Sequence, residues 1–451
     1  MRTPPSIDRV SADDLMSLVA EHGSTPMQVG AVLLLDTRPG LDATRLVREL
    51  GRRVAGIPRL RQRLATVPVG FGRPIWVDDP GFDIARHVTV TEVSDPLAEH
   101  EVLDIAATLL STPLPRSRPL WTATLVVTPG GTEAALIVVF HHVLADGIGG
   151  LAVLAGLVDG THGDGSPAPI APFPRPRPSA GQIAADMLRL RLRALRRVPR
   201  DLLRLAAAAR QLRLVGASRV ARTSLNVPTG ARRRFLDIRV GLPQTLAAAR
   251  ARQATVNDVL LVAIAGALHT LLLSRGELVD EFVVSVPFSA RLQASAGQLG
   301  NASGVIPLRI PAVGDRDERL RRVAALTRTA KRTARGASTA LIGPLFRLLA
   351  RLGLYRWFID GQRLIHTFTS NVRGPAEPLT LVGCPITALL PLSAATGNVS
   401  VAFVALSYAG TLVITIVADP DACPDLQALR EALVTELAAL GITATGEVKP
   451  A

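Results

Sequence analysis

The segment FHHVLADG at residues 140–147 is the stretch that decides the local fold of this chain. It follows the apolar run ALIVV at 135–139, which predicts a buried strand. Asp146 and Gly147 predict a tight corner that opens a helix, because Asp caps helix N-termini and Gly permits sharp turns. Side chains alternate along a strand, so His141 and His142 are expected to point in opposite directions.

The residues alone leave two interpretations of this histidine pair open. An imidazole at the mouth of a buried strand is suited to acid–base chemistry near neutral pH. The alternative is a hydrogen-bonded histidine pair in the core, with Asp146 acting only as a helix cap, because short motif matches also have structural causes.

Six further motifs accompany this segment in a fixed order along the chain. They are TPMQVG (25–30), RPLW (118–121), ND (257–258), SVPFSAR (285–291), TSNVRGP (369–375) and SYAG (407–410). Together with HHxxxDG, the ordered set resembles the bacterial wax ester synthase/diacylglycerol acyltransferase family, a branch of the CoA-dependent acyltransferase superfamily. The resemblance covers nearly the whole chain.

The resemblance implies an α/β (α+β) fold of two chloramphenicol-acetyltransferase-like domains with a crossover linker and an interdomain tunnel. We predict an N-terminal domain at 1–160, a linker with a basic amphipathic helix at 161–231, and a C-terminal domain at 232–451. The linker prediction rests on the run FPRPRP at 173–178, where alternate prolines exclude helix and paired strand.

The resemblance also assigns roles to the motif residues. It implies that His142 is the general base and that His141 is structural. Asp146 is expected to form a structural pair with Arg291, and Gly147 to shape the corner. Because the base can activate the acceptor hydroxyl directly, no acyl-enzyme is expected, and the chain has no G-x-S-x-G nucleophile elbow.

Two asparagines complete the expected site. Asn257 is a possible donor to the oxyanion or to a substrate oxygen, with helix capping as the structural alternative. The neighbouring Asp258 is expected to favour the helix dipole. Asn371, in a turn-rich segment, is expected to support the tunnel structurally.

The charge of the chain is +14, and Lys331 and Lys449 are its only lysines. Nine arginines between residues 189 and 213 alternate with leucines, which is typical of a basic amphipathic helix on an anionic lipid surface. A solvated protein face is the alternative. Nucleic acid is not expected as a partner, because aromatic residues make up 4% of the chain and none falls in this run.

The remaining composition indicates a cytoplasmic protein with peripheral membrane or lipid-droplet association. The N-terminus lacks the apolar core of a signal peptide, and the apolar run at 259–273 is shorter than a bilayer span, so we expect a core helix there. Cys384 and Cys423 do not form a disulfide framework, and no metal ligand spacing is visible. No cofactor is expected, since acyl-CoA is a substrate.

The leading hypothesis is an acyl-CoA-dependent O-acyltransferase that esterifies diacylglycerol, long-chain fatty alcohol or both, giving triacylglycerol or wax ester. One alternative is a related acyltransferase with another hydroxyl acceptor or a carrier-protein donor. Another is a non-catalytic lipid-binding or droplet-coating protein.

Overall fold

The computed structural model describes residues 7–21, 25–145, 147–160, 172–195, 220–289, 303–333, 349 and 352–445. Its first half contains the elements α1 (Ala12–Ala20), β1 (Gln28–Asp36), α2 (Ala43–Ala55), β2 (Gln62–Ala65), β3 (Ile75–Asp78), β4 (Val88–Glu92), α3 (Glu99–Ser111), β5 (Trp121–Val127), β6 (Glu133–His141) and α4 (Gly147–Leu157). A further helix, α5, covers 180–195.

The second half alternates strands and helices in the same manner. Its elements are β7 (Arg234–Gly241), α6 (Leu242–Ala251), α7 (Val256–Ser274), β8 (Glu281–Ser289), β9 (Ser303–Pro311), α8 (Arg316–Thr333), α9 (Tyr355–Asp360), β10 (Thr367–Arg373), β11 (Thr380–Leu381), β12 (Cys384–Leu392), β13 (Val401–Tyr408), β14 (Thr411–Ala418) and α10 (Leu426–Ala439).

Two six-stranded sheets organise the described residues. The first has the order β11-β12-β1-β6-β5-β4, and the second has the order β7-β14-β13-β10-β8-β9. The predicted α/β fold with one sheet-based unit in each half is confirmed. A small antiparallel pair, β2 and β3, stands apart from both sheets.

A hairpin from the second half completes the first sheet. Strand β12 pairs antiparallel with β1, while β1 pairs on its other side with β6. Residues 380–392 fall within the predicted C-terminal domain, 232–451, but they pair with the sheet of the first half. The pairing is physically reasonable because it covers an apolar edge of β1 that would otherwise expose unpaired backbone groups.

Close approach between β1 and β6 explains one residue of the TPMQVG motif. A Cβ atom on Gly30 would lie 2.2 Å from the carbonyl oxygen of Val138 on β6. Only glycine allows the two backbones to reach this separation without a shift. Strand β6, which ends at His141, is thus held closely against β1, and β1 pairs on its other edge with β12.

The two halves share part of their apolar core. One buried cluster contains Val32 and Ile137 of the first sheet together with Val404 and Val413 of the second. Separating the two sheets would expose this apolar surface to water, so the shared core holds the sheets together.

Helix α7 forms the centre of the second half. It is long and apolar enough to span a membrane by length and composition, but 72% of its most apolar window is buried within the protein. Its side chains pack against α10, α8 and the sheet strands in one continuous cluster. The prediction of a buried core helix agrees with this packing.

The hairpin of β11 and β12 is held in place by Asp159, which lies just after α4. Its carboxylate accepts hydrogen bonds from the backbone amides of Val382 (3.0 Å) and Gly383 (2.8 Å), from the Thr380 hydroxyl (2.8 Å) and from Arg53 (2.5 Å). Val382 adopts φ 53°, a conformation that is costly for a β-branched residue. The carboxylate therefore stabilises a strained turn.

We expect Asp159→Ala to lower the free energy of unfolding by roughly 2–3 kcal/mol, because two amides and a guanidinium lose their acceptor. Urea-induced unfolding of the wild type and the variant measures this difference in the free energy of unfolding. Asp421→Ala is the matched control, because it removes an exposed pair with Arg232 and should change stability by less than about 0.5 kcal/mol. Equal losses in both variants would contradict the role of Asp159.

The same carboxylate sets a pH dependence. Burial alone would raise its pKa, but the amide of Gly383, Arg53 and the other donors lower the pKa of Asp159 to about 2, from an ordinary 3.8. A depressed pKa means that the stabilisation is complete above the ordinary value and is lost as the pH falls towards the folded one. The difference in the free energy of unfolding between wild type and Asp159→Ala should therefore shrink as the pH falls from 3.8 towards about 2.

Candidate active site

The histidine pair lies where β6 ends, in a corner held by backbone hydrogen bonds. The amide of His141 donates to the Leu120 carbonyl (2.9 Å), and the amide of Leu144 donates to the His141 carbonyl (2.9 Å). The amide of His142 donates to the Met27 carbonyl (2.7 Å), which extends the pairing between β1 and β6 by one residue. The corner therefore fixes the backbone of both histidines.

The two imidazoles have different environments. His141 is 2% exposed, and its Nδ1 accepts a hydrogen bond from the amide of Val143 (2.9 Å). His142 is only partly buried, and its Nδ1 lies 3.3 Å from the hydroxyl oxygen of Ser17. The structure thus separates a buried histidine from a more accessible one, as the strand alternation predicts.

Helix α1 covers this pair, which the sequence did not predict. Ser17 lies beside His142, and the Glu21 carboxylate lies 3.6 Å from Nε2 of His141. Although burial opposes ionisation, the nearby side chains of His141 and Arg116 lower the pKa of Glu21 to about 2. A carboxylate therefore faces His141, and a neutral hydroxyl faces His142.

Helix α4 begins directly after the corner and contacts the second half. A Cβ atom on Gly147 would lie 3.0 Å from Cγ2 of Val372 on β10. The HHxxxDG motif therefore approaches the TSNVRGP motif through space. Asp146 and Arg291 lie outside the described residues, so their pairing stays a prediction.

A cavity of about 210 Å³ lies between α7, α8 and strands β8 to β10. Its polar lining consists of Asn257, Thr327, Lys331 and Asn371, and its apolar lining consists of Val286, Pro287, Ile306, Leu308 and Ala330. The structure thus brings the two predicted asparagines together. His142 is not among the described residues that line this cavity.

Thr327 and Lys331 were missed by sequence reasoning. Both lie on α8, four residues apart, so they occupy one face of the helix. The signal was present, since Lys331 is one of two lysines in an arginine-rich chain. Nothing in the sequence, however, places α8 against the start of α7.

The start of α7 shows that Asn257 does not cap the helix. The N-cap is Thr255, which forms a reciprocal capping box with Asp258. Asp258 also accepts a hydrogen bond from the Thr327 hydroxyl (2.7 Å), so it has a packing role in addition to the expected contribution to the helix dipole. The side chain of Asn257 is therefore available to the cavity.

Other groups at the corner are structural. Trp121 of the RPLW motif is buried, donates its indole N–H to the Leu60 carbonyl (2.7 Å) and stacks on His87. Gln28 of the TPMQVG motif is 1% exposed and uses its amide to satisfy carbonyls at the end of α3. These contacts fix the strands on both sides of β6.

Neither cysteine is suited to nucleophilic attack. Burial raises the pKa of the Cys384 thiol, and burial with the nearby Asp425 raises that of Cys423 to about 12. Both thiols are therefore protonated at neutral pH, and a thiolate is the reactive form. Across the described part of the chain, no group of three or more His, Cys, Asp and Glu side chains is placed to hold a metal ion.

Comparison with protein families identifies the chain. Residues 10–260 match the wax ester synthase/diacylglycerol acyltransferase catalytic domain, and residues 299–441 match the C-terminal domain of the same family. The chain belongs to the wax ester synthase/diacylglycerol acyltransferase family. It is therefore an acyltransferase of this type, and the resemblance seen in the motifs is confirmed.

Individual family members agree with this assignment. A protein of Mycobacterium tuberculosis strain H37Rv, named a probable diacylglycerol O-acyltransferase, is 28% identical over 427 residues and is matched over 92% of this chain and 91% of its own length. A second protein of that strain, also named a diacylglycerol O-acyltransferase, is 29% identical over 456 residues, covering 93% and 88% of the two chains.

Solved structures show the same fold. The wax ester synthase/diacylglycerol acyltransferase of Marinobacter aquaeolei VT8 superposes with a TM-score of 0.68 at 23% identity, covering 96% of this chain and 98% of that one. The first condensation domain of the calcium-dependent antibiotic synthetase superposes with a TM-score of 0.66 at 20% identity, covering 98% and 100%. The predicted two-domain acyltransferase fold is confirmed.

The capping geometry predicts different effects of two neighbouring substitutions. Thr255→Ala should lower the free energy of unfolding by about 1 kcal/mol, because it removes the N-cap of α7. Asn257→Ala should change it by less than about 0.5 kcal/mol, because Asn257 is not the cap. Thermal and urea unfolding of both variants check this, and a larger loss in Asn257→Ala would restore the capping interpretation.

Proposed function

We propose that this protein transfers an acyl group from acyl-CoA to the hydroxyl of a lipid alcohol, with His142 as the general base. The observation that carries the proposal is the position of the His142 imidazole. It is partly buried, its backbone amide donates to the Met27 carbonyl, and its Nδ1 contacts Ser17, so we assign the proton transfer to the other ring nitrogen, Nε2.

The reaction requires one proton transfer in each direction. Nε2 of His142 takes the hydroxyl proton as the alcohol oxygen attacks the thioester carbonyl. The new C–O bond forms, the C–S bond breaks, and the imidazolium returns the proton to the departing CoA thiolate. The products are an ester and free CoA thiol.

Direct transfer without an acyl-enzyme is consistent with the chemistry of the described residues. The two cysteines are held as thiols. A base that activates the alcohol makes a covalent intermediate unnecessary. The expected tunnel between the domains would exclude water, which would otherwise hydrolyse the thioester.

The cavity beside α7 supports a substrate-binding role for Asn257. Asn257 and Asn371 offer amide donors, Lys331 offers a cation, and the rest of the lining is mostly apolar. Such a lining suits the polar part of one substrate. Since His142 does not line the cavity among the described residues, we favour substrate binding by Asn257 over an oxyanion contact.

We expect His142→Ala to remain folded and to lose about two to four orders of magnitude in kcat, the usual contribution of a general base. Release of free thiol from palmitoyl-CoA measures the rate. His100→Ala is the matched control, because His100 is an exposed histidine on α3. Undiminished turnover in His142→Ala would contradict the assignment of the base.

The acceptor is tested by direct competition. Purified protein is given labelled palmitoyl-CoA with diacylglycerol and hexadecanol together, and the products are separated by chromatography. Triacylglycerol, wax ester or both support the proposal. Activity only with another hydroxyl acceptor or a carrier-bound donor would favour the related acyltransferase, and lipid binding with no product would favour a droplet-coating protein.

We also propose that α5 attaches the protein peripherally to a membrane or lipid-droplet surface on the cytoplasmic side. One face of α5 is anchored to the protein. Ile183 is buried with Ile75 and Val77, Asp186 pairs with Arg9 (2.6 Å), and Arg191 donates to the Gly70 carbonyl (2.7 Å). The helix is thus held in place without using its other face.

That other face carries an apolar stripe. Leu188, Leu192 and Leu195 are 59%, 52% and 66% exposed and follow i, i+4, i+7 spacing. Exposed arginines, Arg189 and Arg193, flank the stripe. Apolar insertion with flanking positive charge matches an anionic lipid surface. The remainder of the predicted basic segment, 196–213, lies outside the described residues.

Replacing Leu188, Leu192 and Leu195 together with Gln should weaken binding to anionic vesicles by at least about tenfold, because each leucine contributes roughly 1 kcal/mol on insertion. Vesicle co-sedimentation at two salt concentrations measures this. Leu278→Gln is the control, because Leu278 is 80% exposed but lies outside α5. Unchanged vesicle binding in the triple variant would exclude this face as the lipid contact.

A further inference from the structure

Helix α1 contacts both histidines of the motif from one side. Ser17 lies on α1, and Glu21, four residues later, is the C-cap that ends the helix. The Ser17 hydroxyl oxygen is 3.3 Å from Nδ1 of His142, and the Glu21 carboxylate is 3.6 Å from Nε2 of His141. One helix face therefore presents a hydroxyl to one ring and a carboxylate to the other.

Other contacts hold α1 in place beside the two histidines. Ser11 and Asp14 form a reciprocal capping box at its N-terminus. Leu15 and Leu18 pack against a cluster that includes Trp76 and Val143, the residue after His142. Ser17 itself is 6% exposed. Its hydroxyl is thus held beside the ring rather than on a mobile surface helix.

The contact between Ser17 and His142 allows two arrangements of the proton. If the Ser17 hydroxyl donates to Nδ1, the neutral ring carries its proton on Nε2 and cannot accept one there. If the Nδ1–H group donates to the Ser17 oxygen, Nε2 is the unprotonated nitrogen of the neutral ring. Which nitrogen of a histidine is protonated is set by the hydrogen bond of the other nitrogen. Only the second arrangement allows Nε2 to act as a base.

His141 has the opposite arrangement. Its Nδ1 accepts the amide hydrogen of Val143, so the ring proton is on Nε2, on the side of Glu21. In the arrangement that leaves Nε2 of His142 unprotonated, the adjacent imidazoles carry their protons on different nitrogens. This difference gives a physical reason why His141 cannot replace His142 as the base.

We propose that Ser17 is a positioning residue that holds His142 in the Nδ1–H tautomer and so keeps Nε2 available to the acceptor hydroxyl. This proposal rests on the proposed role of His142 as general base. During turnover, the Nδ1–H bond to Ser17 is retained while Nε2 gains and then returns the substrate proton. Ser17 touches no reacting atom and acts only through His142.

The tautomer is measured directly by NMR of protein labelled with nitrogen-15 in its eight histidines. The His142 signals are assigned by their loss in His142→Gln. We expect a protonated Nδ1 and an unprotonated Nε2 in the wild type, and a shift towards Nε2–H in Ser17→Ala. An Nε2–H tautomer in the wild type, or an unchanged tautomer in Ser17→Ala, would overturn the proposal.

Kinetics provide the second test. Ser17→Ala should lower kcat about three- to tenfold, the effect of one hydrogen bond, with little change in KM. Ser17→Thr keeps the hydroxyl and should recover most of the rate. Ser17→Asp places a carboxylate beside Nδ1 and should move the acid limb of the pH–rate profile to higher pH by about one unit. An unmoved acid limb would count against the contact.

Ser11→Ala is the matched control. It weakens the same helix by removing its N-cap but keeps the Ser17 hydroxyl, so kcat and the tautomer should stay as in the wild type. An equal loss of kcat in Ser11→Ala and Ser17→Ala would assign the effect to helix stability. Because the NMR experiment does not depend on turnover, failure of His142 as the base and failure of Ser17 as its positioning residue give different results.

Discussion

The antiparallel pairing of β12 with β1 is the interaction on which the rest of the structure depends. Strand β1 pairs on one edge with β12, which comes from the second half. On its other edge it pairs with β6, which ends at the histidine pair. The Met27 carbonyl, just before β1, also fixes the backbone of His142. A constraint on β1 is therefore a constraint on the backbone of His142. The turn between β11 and β12 is strained at Val382. The Asp159 carboxylate offsets this strain by accepting hydrogen bonds from two backbone amides of the turn.

The site itself combines a few fixed polar groups with a largely apolar framework. Helix α1 fixes the two rings, Gly147 allows α4 to approach β10, and the start of α7 presents Asn257 to the cavity. Each polar group is held by an element whose other contacts are apolar or capped. This arrangement places fixed contacts on both histidine rings.

Much of the fold was predictable from hydrophobic pattern and breaker residues. The core helix predicted at the apolar run 259–273 lies within the observed helix Val256–Ser274, because the run is apolar and has no internal proline. The approach of Asn257 and Asn371, the contact of α8 with α7, and the location of Ser17 were not predictable. Each depends on contacts or a shared cavity between residues that are more than 60 positions apart in the chain.

The sequence by itself determined the family and the strand–corner–helix at HHxxxDG, because these follow from local pattern and from the residue types of the motifs. Only the tertiary structure decided that residues 380–392 complete the first sheet, and that a hydroxyl faces His142 while a carboxylate faces His141. The reason is physical. Local pattern sets which face of a strand a side chain occupies, but its partner is supplied by whichever distant element packs against that face.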